Sequence, residues 1–535
     1  MKADLTRVSF DPLKHFSRVV MQQGRVQLDA DWNEQAEILL HVLRTMAADG
    51  FGAVASPAGG FDIAALTGHT DDFEIAPGNC YVDGILCELD ATPVPVVSWD
   101  APTRTITLAQ WTVDGTSCQI GQYLRLIDDN APASSSSPSP SPVVARITNA
   151  DYDSRTLTLD TDISKFSKDT AALRARRLVT YLTQRDLLKP PTLPKPPCQL
   201  YLDVWERLLT PLEDDTIREV ALAGADTATR AHVVWQVKAL SVTENAAALC
   251  MTQQQLANAI RGGIAPLLRA RAKQGATITD PCTVSPDASY RGAENQLYRV
   301  EINTSSDDAS DNGPTFKWSR DNGVAIFPVL SVQLAAATTT VTLGDLGRDA
   351  RFGLVEGDYV EIQDDNSALS QTPGQLLQVQ SIDRQQCVVV LAGGLTQGVG
   401  TDPALHPLLR RWDHRAGDPA QGGLTIGKDG AAIVKPDTLA DGDAAWLTLE
   451  DGIEILFDKV PGVVYRTGDY WLIPARVATG DVLWPQEGAV DSQGNRVTNP
   501  VAMPPRGVRH HYAPLALITA ADGGLTLNSC MAKKP

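Results

Sequence analysis

The sequence contains none of the short motifs that mark the common classes of enzyme and cofactor-binding protein. Its 535 residues include no G-x-G-x-x-G, no Walker loop, no G-x-S-x-G elbow and no H-E-x-x-H. The eight cysteines, at positions 80, 87, 118, 198, 250, 282, 387 and 530, form no C-x-x-C pair, so the spacing of a structural zinc site is missing. We therefore expect no cofactor, no metal and no catalytic residues, and we expect the cysteines to be free thiols in a reducing compartment.

Basic residues and long apolar runs are also scarce. There are 46 Lys and Arg against 64 Asp and Glu, which gives a formal net charge of −18, whereas nucleic-acid readers normally carry a basic face. The longest uncharged run, 324–344, contains Pro328 and four threonines and indicates strands, not the ~20 apolar residues of a membrane span. The first segment, MKADLTRVSFDPLKHFS, has no apolar core of signal-peptide length. We expect no nucleic acid, no membrane span, and synthesis and assembly in the cytoplasm.

The clearest element that is present is a helix, which begins within the segment MQQGRVQLDADWNEQ, Met21 to Gln35. Asp31 is expected to cap it, with Glu34 at capping-box spacing, and Gly50 and Gly52 are expected to end it. Apolar residues recur at three- and four-residue intervals, a pattern that predicts one buried stripe packed on a neighbouring sheet. The stripe consists of Trp32, Ala36, Leu39, Leu40, Leu43 and Met46.

The approach to this helix is polar but carries few charges, so it is suited to a contact with another subunit as well as to a loop. We predict a set of assembly contacts here, with no chemistry of their own. These residues are Met21, Gln22, Gln23, Arg25, Gln27, Asp31 and Trp32.

An internal repeat is the most informative pattern in the remaining chain. The segment TITLAQWTVDG…GQYLRLIDDN, from Thr105, matches TVTLGDLGRDA…GDYVEIQDDN, from Thr340, with a spacing that differs by one residue. The match continues from VVARI to LQVQSI, from TLTLD to VVVLA, and from Arg176-Arg177 to Arg410-Arg411. TGDYWLIPAR, Thr467 to Arg476, is a weaker third echo. Gly at a turn followed by Tyr and alternating apolar residues predicts small β-barrels or sandwiches.

The fold class is therefore expected to be mainly β with minor helices (α+β), multidomain, and built from small β-barrel or β-sandwich units with an internal duplication. The segments DTAALRARRLVTYL and MTQQQLANAIRGGIAPLLRARAKQ are expected to be helical, the second capped at Thr252. The predicted domains are 1–60, polar arm and docking helix; 61–168, first β domain with a mobile Ser/Pro loop at 131–142; 169–314, helical connector and central α+β region; 315–400, second β domain; and 401–535, C-terminal β domain.

Three groups of side chains deserve consideration as sites of chemistry. His510 and His511 are adjacent, but neighbours in a strand point to opposite faces, so a shared metal is disfavoured. Asp413 and His414 could suggest acid–base chemistry, although the matching repeat segment RRLVTY lacks both. The segment DDASDNG, 307–313, imitates the start of a calcium loop, but the position of the bidentate Glu is a serine, and an ordinary acidic turn is the better interpretation.

Several long segments resemble a poorly characterised bacterial family encoded beside phage-tail-like contractile injection systems. They are MQQGRVQLDADWNEQ, YLDVWERLLTPLEDDTIREVALAGADTATRAHVVWQVK, ENQLYRVEI with FKWSRDNG, and GDYWLIPAR with HHYAPLALI. The resemblance implies a structural subunit of such a particle, in the baseplate, fibre or casing, whose partners are other subunits and further copies of itself. Two alternatives stay open: a particle-borne receptor or glycan binder, with Trp412, Trp446 and Trp484 as contacts to a cell-surface glycan, and, less favoured, a polysaccharide-degrading enzyme.

Overall fold

The computed structural model describes residues 1–69, 71–90, 92–113, 116–128, 142–166, 173–243, 249–273, 289–306, 313–349, 351–395, 398–439, 445–490, 496–521 and 524–531. Within these ranges there are three α-helices, α1 (Asp29–Phe51), α2 (Gln253–Arg261) and α3 (Asp365–Ser370). Most of the remaining regular structure is β, which confirms the predicted fold class. The candidate calcium segment 307–312 and most of the Ser/Pro loop lie outside the described residues.

The strands are numbered in chain order. Their bounds are β1 (Val54–Ala55), β2 (Ile63–Ala65), β3 (Phe73–Ile75), β4 (Gly78–Val82), β5 (Ile85–Leu89), β6 (Val94–Asp100), β7 (Thr105–Leu108), β8 (Thr112–Val113), β9 (Thr116–Ser117), β10 (Tyr123–Asp128), β11 (Val143–Asp151), β12 (Thr156–Leu159), β13 (Leu173–Leu178), β14 (Cys198–Leu209), β15 (Arg230–Ser241), β16 (Leu268–Ala272), β17 (Gln296–Thr304), β18 (Thr315–Ser319), β19 (Ile326–Leu334), β20 (Thr338–Leu343), β21 (Tyr359–Gln363), β22 (Leu376–Asp383), β23 (Val388–Ala392), β24 (Leu408–Trp412), β25 (Ala432–Ile433), β26 (Pro436–Asp437), β27 (Leu447–Thr448), β28 (Ile453–Asp458), β29 (Tyr470–Arg476), β30 (Asp481–Val482), β31 (Gln486–Val490), β32 (Arg496–Pro500), β33 (His511–Ala521) and β34 (Gly524–Ser529).

The chain divides into two compact units, each assembled from separate stretches of the sequence. Unit 1 comprises residues 1–41, 206–232 and 261–509, and unit 2 comprises residues 42–205, 233–260 and 510–535. Unit 2 contains the sheet β1-β4-β5, a closed barrel of order β10-β11-β12-β7-β6-β13, and most of the sheet β15-β14-β33-β34. Unit 1 contains the sheets β16-β28-β26 and β25-β18-β17-β29-β30 and a second closed barrel, β19-β20-β23-β22-β21-β24.

The two barrels have the same connectivity, which confirms the predicted duplication. The strands β6, β7 and β10 to β13 of the first barrel correspond, in chain order, to β19 to β24 of the second. With this correspondence the two barrels have the same cyclic order of neighbouring strands. Their irregularities also coincide. The register of β6 against β7 shifts between Val96 and Ser98, and that of β19 against β20 shifts between Val329 and Ser331. A second bulge lies between β11 and β12 and recurs between β22 and β23.

Cross-strand partners test the sequence alignment of the repeats residue by residue. Arg177 lies opposite Leu124, and Arg411 lies opposite Val360, as the predicted equivalence of the paired arginines requires. On the next strand the alignment was wrong by two residues, because Ala145, and not Val143, corresponds to Leu377. A two-residue slip keeps every side chain on its own face of the sheet, so the hydrophobic pattern alone could not detect it.

The third echo of the repeat, Thr467 to Arg476, is limited to a turn glycine and the strand that follows it. Gly468 has a φ of 84°, like the turn glycines Gly121 and Gly357, but β29 lies in an open sheet and not in a barrel.

The predicted helical connector is wrong in part. Residues 173–178 and 268–272, both expected to be helical, are the strands β13 and β16. Their burial alternates with a period of two, as in a strand. In runs this short, the sequence pattern of apolar and basic residues does not distinguish a strand from a helix. The cap at Thr252 is confirmed, since its Oγ1 accepts from Gln255 N at 3.2 Å.

The cysteines differ from the expectation of free thiols. Cys250 and Cys530 form a disulfide within unit 2, with Cα atoms 5.6 Å apart. Cys80, Cys87 and Cys198 are free and buried, Cys118 is buried, Cys387 is free and half-buried, and Cys282 lies outside the described residues. Cys80 and Cys87 face each other across the β4–β5 hairpin, and burial raises the pKa of the Cys80 thiol to about 12. These thiols are therefore packed as small hydrophobic groups.

Candidate assembly surface

The first residues of the chain are fixed on the open sheet of unit 1. Leu5 and Val8 pack against a small apolar cluster that contains Leu297, Tyr470 and Leu472. Arg476 Nη2 donates to the carbonyl oxygen of Thr6 at 2.8 Å. The segment is thus held by both packing and hydrogen bonding before it reaches α1.

From this anchor the chain runs along the polar side of α1. Ser9 Oγ donates to Glu34 Oε2 at 2.6 Å, and Val19 N donates to Gln35 Oε1 at 2.8 Å. At the start of the helix, Asp29 accepts from the backbone N of Thr6 at 2.9 Å. Because the segment before the helix binds its polar side chains, that face is the one turned toward the rest of the chain.

The capping prediction for α1 was wrong at its start. At its end it was right for Gly52, whereas Gly50 lies within the helix. The helix begins at Asp29, so Asp31 lies inside the first turn, and Glu34 binds Ser9 instead of closing a capping box. An acidic residue in the first turn still stabilises the positive end of the helix dipole. Gly52 follows the helix with a φ of 94° and donates to the carbonyl of Ala48, as a terminating glycine does.

The predicted burial of the apolar stripe is wrong. Trp32 is 78% exposed and Leu39 is 54% exposed, and every member of the stripe is classed as exposed. The buried residues of α1 are Ala30 and Ile38, on the side bound by the preceding segment. Unlike the usual amphipathic helix, α1 turns its apolar stripe outward. Single exposed apolar residues are normal, but a contiguous stripe is typical of an interaction site.

Exposed apolar side chains also follow one another through the segment before α1. Sequence periodicity missed them because the segment is irregular apart from a short 3₁₀ turn at Pro12–Lys14. We define the arm surface as the exposed apolar residues of this segment and of the part of α1 in unit 1: Leu13, Phe16, Val20, Met21, Val26, Leu28, Trp32, Leu39 and Leu40. Leu43 and Met46, further along the same helix, are exposed as well.

The predicted assembly residues lie within or beside this surface. Met21 and Trp32 belong to it, and Gln22, Gln23, Arg25 and Gln27 are exposed between its apolar members. Asp31 is partly buried. Their role as contacts stays a prediction, but none of them is occupied in packing the core.

The three tryptophans considered as glycan contacts are buried, contrary to the expectation that they are exposed. Trp412 is fully buried on β24 and its Nε1 donates to Glu361 Oε2 at 2.8 Å. Trp446 stacks under the guanidinium of Arg271 at 3.9 Å, and Trp484 Nε1 donates to the carbonyl of Val501 at 2.8 Å. A stacking platform for a sugar needs an accessible ring face, so these residues do not supply one.

Asp413 and His414 are structural as well. Asp413 accepts from the backbone N of Arg320 at 2.9 Å and pairs with Arg411 at 3.2 Å. His414 is fully buried, stacks on Tyr359 and hydrogen-bonds the carbonyl of Gly430 at 2.8 Å through Nε2. Because that carbonyl can only accept, Nε2 carries the proton. Neither side chain can reach a substrate in solution.

Burial of His414 predicts a measurable pH dependence of stability. Burial lowers the pKa of its imidazole from 6.5 to about 4. Between those two values the unfolded chain binds more protons than the folded chain, so the free energy of unfolding falls as the pH drops from 6.5 to 4, by about 3 kcal/mol in the limit. His414→Gln keeps a donor for Gly430 and should flatten this decline in urea unfolding measured across the window. His15→Gln, at an exposed site, should leave the profile of the wild type; equal profiles for all three proteins would contradict the assignment.

His510 and His511 make separate contacts in unit 2, as their strand positions indicated. His510 Nδ1 lies 2.6 Å from Asp203, which also accepts from Lys238 Nζ at 2.7 Å. His511 Nδ1 lies 2.8 Å from Asp83 in the β4–β5 turn. The described part of the chain contains no group of three or more His, Cys, Asp or Glu side chains that could hold a metal.

Sequence reasoning missed a cluster of buried charges in unit 1. Glu301 on β17 pairs with Lys2 at 3.1 Å and with Arg299 at 2.6 Å. Lys317 on β18 lies 2.8 Å from Glu361 and above the ring of Trp412. Burial alone would raise the pKa of Glu301, but the surrounding cations Lys2, Arg299 and Lys317 lower it below its usual range. The cluster therefore stays ionised and belongs to the core of the unit.

A cleft in unit 2 is lined by Glu74, Asp90, Arg176 and neighbouring residues, and its accessible volume of about 10 Å³ has room for roughly one water molecule. Among the helices that the structure describes, none is long and apolar enough to span a membrane. The arm surface is the strongest candidate for a functional site in the described ranges.

The fold and this surface together define a multidomain β-barrel protein with a large outward-facing apolar segment at its amino-terminal end. The chain belongs to the family described as "Family of unknown function (DUF6519)", whose model matches residues 1–130, 193–261 and 241–533. The stretch outside the match, 131–192, contains β11 to β13 of the first barrel. No curated protein and no solved structure matches the chain.

Proposed function

We propose that this protein is a structural subunit of a multi-subunit particle of the contractile-injection or phage-tail-like class, and that it acts through protein–protein contacts of the arm surface. The observation that carries the proposal is the outward-facing apolar stripe of α1. In water, burying a side chain such as Leu or Phe is worth roughly 1.5–3 kcal/mol. A chain that holds its polar helix face inward and leaves Trp32 and Leu39 exposed gains that free energy when a partner covers them.

The choice of particle class rests on the segment resemblance, and other features support a subunit role. The duplicated barrels offer two similar scaffolds with filled interiors, and their inward-facing residues form separate apolar cores. The residues considered for catalysis or glycan binding are instead packed inside the units. We accordingly propose assembly in place of catalysis.

The test uses particles isolated from the native producer cell. Trp32→Asp with Leu39→Asp places two carboxylates on the arm surface, where desolvating them in an interface is costly. We expect the amount of this chain that sediments with particles, measured by mass spectrometry, to fall by about tenfold or more. The free energy of unfolding of the isolated variant should change by less than about 1 kcal/mol, since both side chains are exposed.

A matched control is Ile120→Asp with Leu249→Asp, which adds the same two carboxylates at other exposed apolar side chains, in unit 2, and should leave incorporation unchanged. The proposal fails if the wild-type chain is missing from purified particles. It also fails if the arm variant is incorporated as well as this control.

A further inference from the structure

A second exposed apolar site lies in unit 1, in the connection between β14 and β15. We call residues 212–226 the hairpin tip. Val220 is 86% exposed and Leu222 is 60% exposed, and they form two of the three residues of a short 3₁₀ turn. Two aliphatic side chains at the end of a long strand pair are well placed to enter an apolar surface.

The hairpin tip is a built structure. Glu219 caps the turn by accepting from Ala221 N at 2.8 Å, and Gly224 N donates back to the carbonyl of Glu219 at 3.0 Å. Arg218 Nη1 donates to the carbonyl of Gly224 at 3.2 Å. These contacts fix the backbone, so Val220 and Leu222 are presented without a large loss of conformational entropy on binding.

The charges of the tip and of the arm are opposite. The tip carries five acidic residues and one arginine: Glu213, Asp214, Asp215, Glu219, Asp226 and Arg218. The segment 12–28 of the arm contains three cations, Lys14, Arg18 and Arg25, and no acidic residue, in a chain whose acidic residues outnumber its basic ones. All three cations are exposed, and the ion pairs of the described residues do not include them.

We infer that the hairpin tip of one copy docks onto the arm surface of a second copy of this chain. Val220 and Leu222 would cover apolar residues of the arm while the acidic residues of the tip face Lys14, Arg18 and Arg25. This inference rests on the proposed function, since it names the partner of the same surface. The two surfaces differ, so the contact is head-to-tail and continues into a closed ring or an open filament rather than a symmetric pair.

The test is a charge swap, read by sedimentation velocity of the purified full chain. The arm variant Lys14→Glu/Arg18→Glu/Arg25→Glu sets like charges against each other in a self-contact, and the tip variant Asp215→Lys/Asp226→Lys changes the formal net charge of the tip from −4 to 0 and so removes its attraction to the arm. The tip substitutions avoid Asp214 and Glu219, whose side chains cap backbone turns. We expect each variant alone to self-associate about tenfold more weakly than the wild type. An equimolar mixture should recover the association as pairs, because the native arm of the tip variant meets the native tip of the arm variant.

Salt and a control variant complete the design. Self-association of the wild type should weaken when the NaCl concentration is raised from about 0.05 to about 0.5 M, because the Debye length falls from ~14 Å to ~4 Å and the charges are screened. Asp153→Lys/Glu356→Lys makes the same charge change at two other exposed sites and should leave association unchanged.

Association of either reversed variant at wild-type strength, or a mixture without recovery, overturns the inference. A wild-type chain that stays monomeric while arm substitutions abolish particle incorporation also overturns it and leaves the proposed function standing, with another subunit on the arm. Self-association of a chain that never enters particles supports the inference and refutes the proposed function.

Discussion

Lys317→Met is expected to lower the free energy of unfolding of unit 1 by about 3–5 kcal/mol, the usual cost of removing one partner from a buried ion pair. Lys317 is 2% exposed, and its ammonium is the cation 2.8 Å from Glu361. Burial alone would raise the pKa of Glu361, but Lys317 and Lys2 lower it, so the carboxylate is ionised in the fold. Methionine fills the same space over Trp412 and leaves that charge without its closest cation.

The measurement is urea unfolding, with native-state hydrogen exchange of the β17 and β18 amides assigning the transition to unit 1. Adding Glu361→Gln to Lys317→Met removes the uncompensated charge and keeps one acceptor oxygen, for either Trp412 Nε1 or Gly374 N, so the double variant should recover at least half of the loss. Arg348→Met is the exposed control: its pair with Asp349 is mostly solvated and should contribute less than ~0.5 kcal/mol. A loss below 1 kcal/mol for Lys317→Met would show that the pair is not a determinant of stability.

The duplication could be predicted because it depends on a local sequence pattern of turns and strands. Turn glycines, an aromatic residue at the start of a strand and alternating apolar residues repeat in both copies, and the structure gives both copies one strand order and the same two bulges. The arginine pair that ends each repeat lies on the last strand of its barrel, β13 or β24, although the predicted β domains end before these strands. Arg177 and Arg411 are in fact buried, and they bind backbone carbonyls of Thr183 and Gly353.

The orientation of α1 could not be predicted from the helix alone. Periodicity identifies an apolar stripe but not the partner that covers it. Here the polar face is occupied by Ser9 and by Val19 N, from a segment without any period of its own. The buried charges around Glu301 were missed for a related reason. They come from separate segments of the chain, as Lys2 and Glu361 do, and each alone looks like an ordinary surface charge.

The disulfide was not predicted because its two cysteines are 280 residues apart and neither belongs to a motif. Cys250 precedes α2, and Cys530 follows β34 at the far end of unit 2. Gln199 on β14 connects both ends: its Nε2 donates to Cys530 Sγ at 3.3 Å, and its Oε1 accepts from Met251 N at 3.3 Å. The bond therefore closes the sheet β15-β14-β33-β34 onto the segment that leads into α2.

Cys250→Ser is expected to lower the free energy of unfolding of unit 2 by about 3–5 kcal/mol, because a cross-link across so long a loop removes much of the conformational freedom of the unfolded chain. A reductant should produce the same loss in the wild type and almost none in the variant, and Cys530→Ser should add little to Cys250→Ser since both remove one bond. Cys387→Ser, at a half-buried free thiol in unit 1, controls for the loss of a sulfur. If the unfolding midpoint of unit 2 is the same with and without reductant, the disulfide does not stabilise this unit. The expected loss would instead show that the stability of the C-terminal strands β33 and β34 depends on oxidation of the two cysteines.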